Sequence, residues 1–337
     1  MLAGLGNILK DAGANALSEL IATADRVLVM GHKFGDLDCV GAAVGMAYAI
    51  RSLGKNADVV IDRNKNLANI LIDMLSQQGC ADLFIDPAEA QFRITPNTLL
   101  IICDTHTENL LESEEVYRRC KTVVVIDHHR KMVNHIENAV IFYHEPYASS
   151  ASEMVAELIQ YMGDNCRINS VVAQALLSGI MLDTRNFVLK TGVRTFEAAA
   201  YLKRIGAGTV IVRKLFASTM DSYQRKTRIV AAAQIYKGCA VAESDYSSDD
   251  MRVVAPQAAD ELLGIDGVDG SFVLYEIDGI INISARSMGA INVQVIMEKL
   301  GGGGHHTMAG AQIKGLEIEK VKQMLLESID QYFQEKS

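Results

Sequence analysis

Three short, almost unbroken apolar runs constrain the fold most: Arg26-Val27-Leu28-Val29-Met30, Leu99-Leu100-Ile101-Ile102-Cys103 and Val123-Val124-Val125-Ile126. Runs of this length, without the polar alternation of a half-exposed strand, read as strands buried on both faces. Each stops at residues able to do chemistry. The first leads into Gly31-His32 with Asp36 and Asp38 close behind, the second into Asp104-Thr105-His106, and the third into Asp127-His128-His129. Strands covered on both faces belong to parallel sheets with helices on each side, and in such sheets ligands sit beyond the carboxyl ends of the strands. A polar site along one sheet edge is the expectation.

The intervening pattern agrees with an α/β fold. Helical stretches are expected at Ile8 to Ala24, Val40 to Leu53 and Leu67 to Gln77, a further strand at Ala57 to Ile61, and a short one near Ala139 to Tyr143. Ser149-Ser150-Ala151-Ser152-Glu153 opens a helix from Met154 to Tyr161. Serines there read first as caps of free backbone N–H groups, although a helix N-terminus also suits a phosphate. Val171 to Met181 forms a helix that delivers Asp183, and Thr195 to Ile205 another that ends at Gly206-Ala207-Gly208.

Beyond these glycines the pattern changes. A linking helix from Val210 to Tyr236 is expected, then strands at Gly238 to Glu243 and Phe272 to Glu276. The latter pairs with Ile280 to Ala285 through Asp278-Gly279, a strong hairpin dipeptide. An apolar helix from Ile291 to Leu300, the run Gly301 to Gly304, His305-His306 and a final amphipathic helix complete the chain. With 337 residues there is room for two cores. The expected organisation is a parallel-sheet α/β domain over 1–208, a linker helix over 209–236 and a smaller α+β domain over 237–337.

A formal net charge of -9 excludes broad electrostatic binding of a long nucleic acid, which needs many Lys and Arg contacts. No apolar run reaches the roughly 18 residues of a membrane span. Met1-Leu2-Ala3-Gly4-Leu5-Gly6 lacks the basic start and apolar core of a signal peptide, so a cytoplasmic setting is expected. Cys39, Cys80, Cys103, Cys120, Cys166 and Cys239 show no paired or finger-like spacing and read as reduced, buried thiols. A homodimer is expected on priors alone.

An aspartate after a strand is commonly a turn former or helix cap, and a lone histidine is commonly structural. The joint placement of His32, Asp36, Asp38, Asp104, Asp127-His128-His129 and Asp183 at one edge is harder to explain that way. Asp36 and Asp38, two apart on extended backbone, are expected to point to the same side. Carboxylates and imidazoles without thiolates suit Mn²⁺ or Mg²⁺ better than structural zinc. There are donors enough for two ions bridged by one aspartate. Two ions roughly 3.5–4 Å apart clamp both oxygens of a phosphoryl transfer and turn water into hydroxide, so phosphate ester or anhydride hydrolysis is expected.

His32-x-x-x-Asp36-x-Asp38, Asp104, Asp127-His128-His129 and Asp183, in this order, resemble the motif series of the DHH phosphoesterases. Gly301-Gly302-Gly303-Gly304-His305 resembles the glycine-rich motif of the associated DHHA1 domain. Within that superfamily the stretch from Gly31 to Asp38, Ser284-Ala285-Arg286-Ser287 and Ile291-Asn292-Val293-Gln294-Val295-Ile296-Met297 are most similar to the GdpP type, bacterial cyclic di-AMP phosphodiesterases. The resemblance implies two Mn²⁺ ions, one on His32, Asp36 and Asp104, the other on Asp38, Asp104, His128 and Asp183. It implies His129 facing the scissile phosphate and Asp127 orienting the site from behind. It further implies Arg286, Ser287, Gly302, Gly303, Gly304 and His305, with Ser150, as substrate contacts, and opening of cyclic di-AMP to 5′-pApA as the reaction. A nanoRNase that degrades pApA to AMP, and a sensing module without turnover, are the alternatives. GdpP-type proteins carry membrane helices, a PAS-like sensor and a degenerate GGDEF domain ahead of this module. An excised module or a stand-alone relative is therefore expected, attached to a membrane only through domains this chain lacks. His306 stands where such proteins often have an apolar residue.

Overall fold

The computed structural model describes residues 2–248 and 250–336. Met1, where the N-terminal reading began, and Asp249 and Ser337, which fall inside the expected second domain, lie outside the described residues. The chain forms two compact units, Met1–Ala217 and Ser218–Ser337.

The first unit runs α1 (Leu2–Thr23), β1 (Arg26–Met30), α2 (Leu37–Ser52), β2 (Ala57–Val60), α3 (Asn69–Leu75), β3 (Phe84–Ile85), α4 (Pro87–Arg93), β4 (Thr98–Cys103), α5 (Glu114–Arg119), β5 (Thr122–Asp127), β6 (Ile141–His144), α6 (Ala151–Tyr161), α7 (Ser170–Asp183), α8 (Val193–Ile205) and α9 (Thr209–Leu215). Its six strands lie in the order β3-β2-β1-β4-β5-β6. Every neighbouring pair is parallel.

The apolar runs behave as their composition demands. Val27, Val29, Leu99, Ile101, Val124 and Ile126 pack into a core shared with α1, α2, α6 and α7. The alternate residues Leu28, Met30, Leu100, Ile102, Val123 and Val125 pack on the other face with Ala90, Val116 and Tyr117. Period-two side chains thus fill both faces, which is why polarity waits for the strand ends. The strand order reverses between β1 and β4, and a crevice opens at such a reversal, beyond the strands' carboxyl ends.

The second unit runs α10 (Met220–Ala231), β7 (Gln234–Tyr236), β8 (Cys239–Glu243), α11 (Met251–Leu262), β9 (Gly270–Ile277), β10 (Ile280–Ser287), α12 (Val293–Glu298), β11 (Gly303–His305), β12 (Met308–Lys314) and α13 (Ile318–Lys336). The sheet order is β11-β12-β10-β9-β8-β7. β8 and β9 are parallel and the other pairs antiparallel. Asp278 and Gly279, at φ 52 and 73, make the tight β9–β10 turn that the dipeptide requires. Phe272, Leu274, Ile281 and Ile283 pack with α12 and α13, while Val273, Tyr275 and Ile277 pack with α11.

One expectation is corrected, and two features are added. The single linker helix over 209–236 is α9, α10 and β7, because Thr219 accepts the Ser222 N–H at 3.2 Å and starts a new helix. Lys237 and Gly238, both left-handed, then turn β7 onto β8. Helix α11 went unforeseen because Pro256 sits inside it, where proline removes a backbone donor. Of the four glycines, Gly303 and Gly304 belong to β11 and pair with Gly310 and Ala309.

Candidate metal centre

Four chain segments meet at the β1/β4 crevice. His32 follows β1, Asp104 follows β4, Asp127 ends β5 with His128 and His129 behind it, and Asp183 is the last residue of α7. His128 is the hub. Its Nε2 lies 3.2 Å from Asp183 Oδ2, 3.4 Å from Asp104 Oδ1 and 3.8 Å from Asp38 Oδ2. His32 Nε2 approaches the other Asp104 oxygen at 3.5 Å, so Asp104 faces an imidazole with each oxygen. Candidate donor atoms of Asp38, His128 and Asp183 lie within 4.8 Å of one another, as do those of Asp104, His128 and His129.

Asp36 is on extended backbone as expected, but Asp38 is already helical. Asp36 caps α2, its Oδ1 accepting the N–H groups of Asp38 at 2.9 Å and Cys39 at 3.0 Å, while Asp38 lies in the helix's first turn. Asp38 is wholly buried and accepts the N–H groups of Ala151 at 2.7 Å and Ser152 at 2.9 Å. The start of α6 therefore receives an anion, but the anion is the Asp38 carboxylate. Ser150, expected among the substrate contacts, is buried, and its hydroxyl accepts the Glu153 N–H at 3.0 Å and caps the helix.

Close packing fixes Asp38 further. A Cβ on Gly179 of α7 would fall 2.7 Å from Asp38 Cα and 2.2 Å from Ser152 Oγ, so only glycine fits. Asp104 holds φ 63, a left-handed conformation that aspartate tolerates better than most residues. Directly after Asp183, Arg185, Asn186 and Phe187 are all left-handed as well. Such strain persists where surrounding bonds overdetermine it. Here Thr184 Oγ1 donates to the Ile180 carbonyl at 2.6 Å and accepts the Phe187 N–H at 2.9 Å, and Phe187 stacks on Phe196.

The electrostatics call for a cation. Burial and the charges of Asp104 and Asp183 push Asp38 well above the usual carboxylate range, and the same causes bring Asp36 to about 6. Burial also opposes ionisation of Asp104, yet the imidazoles of His128 and His32 hold it down at about 2. Burial would lower His128, but Asp104 and Asp183 raise it well above an ordinary histidine. His32 and His129 are raised against burial by Asp104 and Asp127 respectively. Carboxylates that draw protons onto every neighbouring imidazole would exchange those protons for a metal ion. Two polar atoms make the same point: His128 Nε2 and Asp104 Oδ1 are buried without a hydrogen bond, only 3.4 Å apart. A buried pair of this kind needs a third partner. The donors fit a hard divalent cation. Cys39, whose sulfur lies near His32 and Asp104, is raised well above an ordinary thiol by burial and then by Asp104, so it remains a neutral thiol.

His129 differs from His128 in being half exposed, at 46 %. Its ring Nδ1 meets Asp127 Oδ1 at 2.8 Å and its backbone N–H donates to the same oxygen at 3.1 Å. Asp127 is wholly buried and held below the carboxylate range: burial opposes this, and the bonds from His106 and His129 outweigh it. Two further histidines, outside the expected site set, stand beside it. His106 is buried beside Asp127, and His144 donates Nε2–H to the His129 carbonyl at 2.5 Å. His106 sits two residues beyond Asp104, which was the available signal; His144, on β6, gave none.

Within the second unit, His305 is exposed and a Cβ on Gly303 would meet open space. Gly302 and Gly304 press against the backbone of Gly310 and Met308. Arg286 pairs with Asp260 at 3.0 Å. Ser287 is buried and its hydroxyl accepts the Gly289 N–H at 2.9 Å, in the turn after β10. His306 donates Nε2–H to the Gly289 carbonyl at 2.9 Å.

Residues 26–180 match the DHH family, N-terminal domain, and residues 236–335 match the DHHA1 domain. The cyclic-di-AMP phosphodiesterase GdpP of Geobacillus thermodenitrificans (strain NG80-2) is 43 % identical over 95 % of this chain. The chain spans half the length of that relative. The bifunctional oligoribonuclease and PAP phosphatase NrnA of Thermus thermophilus is 26 % identical over 92 % of this chain and 91 % of its own length. An exopolyphosphatase-related protein from Bacteroides fragilis shares the fold with a TM-score of 0.80, at 20 % identity over 95 % of this chain and 96 % of its own.

Proposed function

We propose that this chain, which belongs to the DHH family and carries a DHHA1 domain, is a Mn²⁺-dependent phosphodiesterase that opens cyclic di-AMP to 5′-pApA. The observation that carries the proposal is the convergence of Asp38, Asp104, Asp183 and His128 on one buried point, in a chain 43 % identical to a cyclic-di-AMP phosphodiesterase. His32, Asp36 and Asp104 would hold one ion, and Asp38, Asp104, His128 and Asp183 the other. When bound, two divalent ions supply Lewis-acid polarisation of the phosphoryl oxygens and a nucleophile drawn from water.

The chain's own groups do the rest. Asp104, with one oxygen towards His32 and the other towards His128, would serve both ions. Asp127 accepts Nδ1–H of His129, which leaves Nε2 of that half-exposed ring for the scissile phosphate. Protonated on both nitrogens, a state that Asp127 and Asp104 favour against burial, the ring would from there donate a hydrogen bond to the phosphoryl oxygen and its Nε2 proton to the departing 3′-oxygen. Arg286, Gly303, Gly304 and His305 are the proposed contacts for the second phosphate and a nucleoside, since glycine backbone N–H groups and guanidinium both suit anions.

Full-length likeness to an oligoribonuclease keeps hydrolysis of pApA as the second reading. One assay separates the two. Purified protein with Mn²⁺ is given cyclic di-AMP, cyclic di-GMP and pApA in parallel and the products are resolved by chromatography. Conversion of cyclic di-AMP to pApA is expected, and Asp104→Asn should lower it by at least about 100-fold. Survival of cyclic di-AMP while pApA becomes AMP would overturn the proposal.

A further inference from the structure

We infer that His106 is a positioning residue for His129, acting through Asp127 in a relay no metal ligand belongs to. The inference rests on the proposed hydrolysis for its kinetic consequence, and on geometry for its substance. His106 is 2 % exposed and lies one turn of loop beyond β4. Its Nε2 receives the Met132 backbone N–H at 2.9 Å. A backbone N–H can only donate, so Nε2 must present its lone pair and the ring proton resides on Nδ1. That Nδ1–H points at Asp127 Oδ2.

The other Asp127 oxygen is thereby left to His129, whose backbone N–H and ring Nδ1 both reach it. Each link admits one direction only. Met132 fixes the tautomer of His106, His106 fixes the rotation of the Asp127 carboxylate, and Asp127 fixes the proton of His129 on Nδ1, so that Nε2 faces outward. Edge contacts to Phe142 and His144 hold the His106 ring upright. His144 pins the same backbone from the other side through the His129 carbonyl. An aspartate with a single histidine could rotate between its two oxygens, whereas one clamped from both sides cannot. Outer partners that fix a histidine tautomer commonly carry 10–100-fold in activity.

The test uses three variants of the full chain. Asn at 106 offers an amide N–H near the Nδ1 position, Gln offers its polar end near Nε2, and Leu offers neither. His106→Leu and His106→Gln should lower kcat for cyclic di-AMP by about 10–100-fold with KM little changed. His106→Asn should recover most of that loss. A second readout needs no turnover: long-range ¹H–¹⁵N spectra of histidine-labelled, metal-free protein should show His129 protonated on Nδ1 in wild type and His106→Asn, and a mixture of tautomers in His106→Leu. Equal loss in all three variants, in step with their melting temperatures, would overturn the inference. So would a His106 ring protonated on Nε2. If wild type does not turn over the cyclic dinucleotide, the functional proposal fails and the tautomer spectra alone decide the role of His106.

Discussion

At the scale of single residues, the site is held by groups that give up ordinary behaviour. Asp104 accepts a left-handed backbone, Asp38 is buried among other carboxylates, and Glu112 shows the same pressure away from the metal donors. Burial raises Glu112 to about 7, although its Oε1 accepts the Asp62 N–H at 3.1 Å. A carboxyl raised on folding binds its proton more tightly in the folded chain. The stability this gives is complete below its unfolded value and is lost as pH rises through 7. Glu112→Gln keeps the acceptor and removes the ionisation. It should match wild type at pH 5 and exceed it at pH 8 by about 1 kcal/mol, after allowing for solvent screening of a partly wetted group. Urea titrations at both pH values check this, and equal differences at the two would contradict it. The metal-type residues were legible in the sequence because His32, Asp104 and Asp127 stand at or just past the abrupt ends of apolar runs. Ser150 and Ser287 were harder to read, because a hydroxyl that caps a backbone and one that meets a ligand look alike in a sequence.

At the scale of elements, the position of Asp38 depends on how closely α2, α6 and α7 approach. Alanine at Gly179 would favour the helix by roughly 1 kcal/mol on propensity alone. The 2.2 Å and 2.7 Å approaches to Ser152 and Asp38 oppose that gain, and overpacking typically costs 1–3 kcal/mol. Gly179→Ala should therefore be destabilised by about 1 kcal/mol in urea unfolding and should bind Mn²⁺ more weakly in calorimetric titration. A variant stabler than wild type would show that the seam can yield. Most elements of the first unit were legible, since buried runs and helical periods alternate there without ambiguity. The second unit was read less well. Pro256 disguised α11, and β11 and β12 carry glycines in place of β-branched residues, so pairing across the sheet, which a local pattern cannot express, defines them.

At the scale of the whole molecule, the chain is two units with separate cores, and among the described residues every candidate metal cluster lies in the first. A ligand that binds only the folded form stabilises what it binds, by about 2.7 kcal/mol at 100-fold excess over Kd. Saturating Mn²⁺ against EDTA should thus slow amide exchange in β4, β5 and α7 and leave β9 and β10 nearly unchanged. Mass-resolved hydrogen exchange reads both units at once, and protection confined to the second would contradict the placement of the donors.

The reversal of strand order at β1 and β4 has a further meaning in time. It draws donors from segments that are made far apart, with His32 first and Asp183 last. A growing chain makes β1, β4 and β5 before α7, so the carboxylates around His128 are one short until Asp183 has emerged.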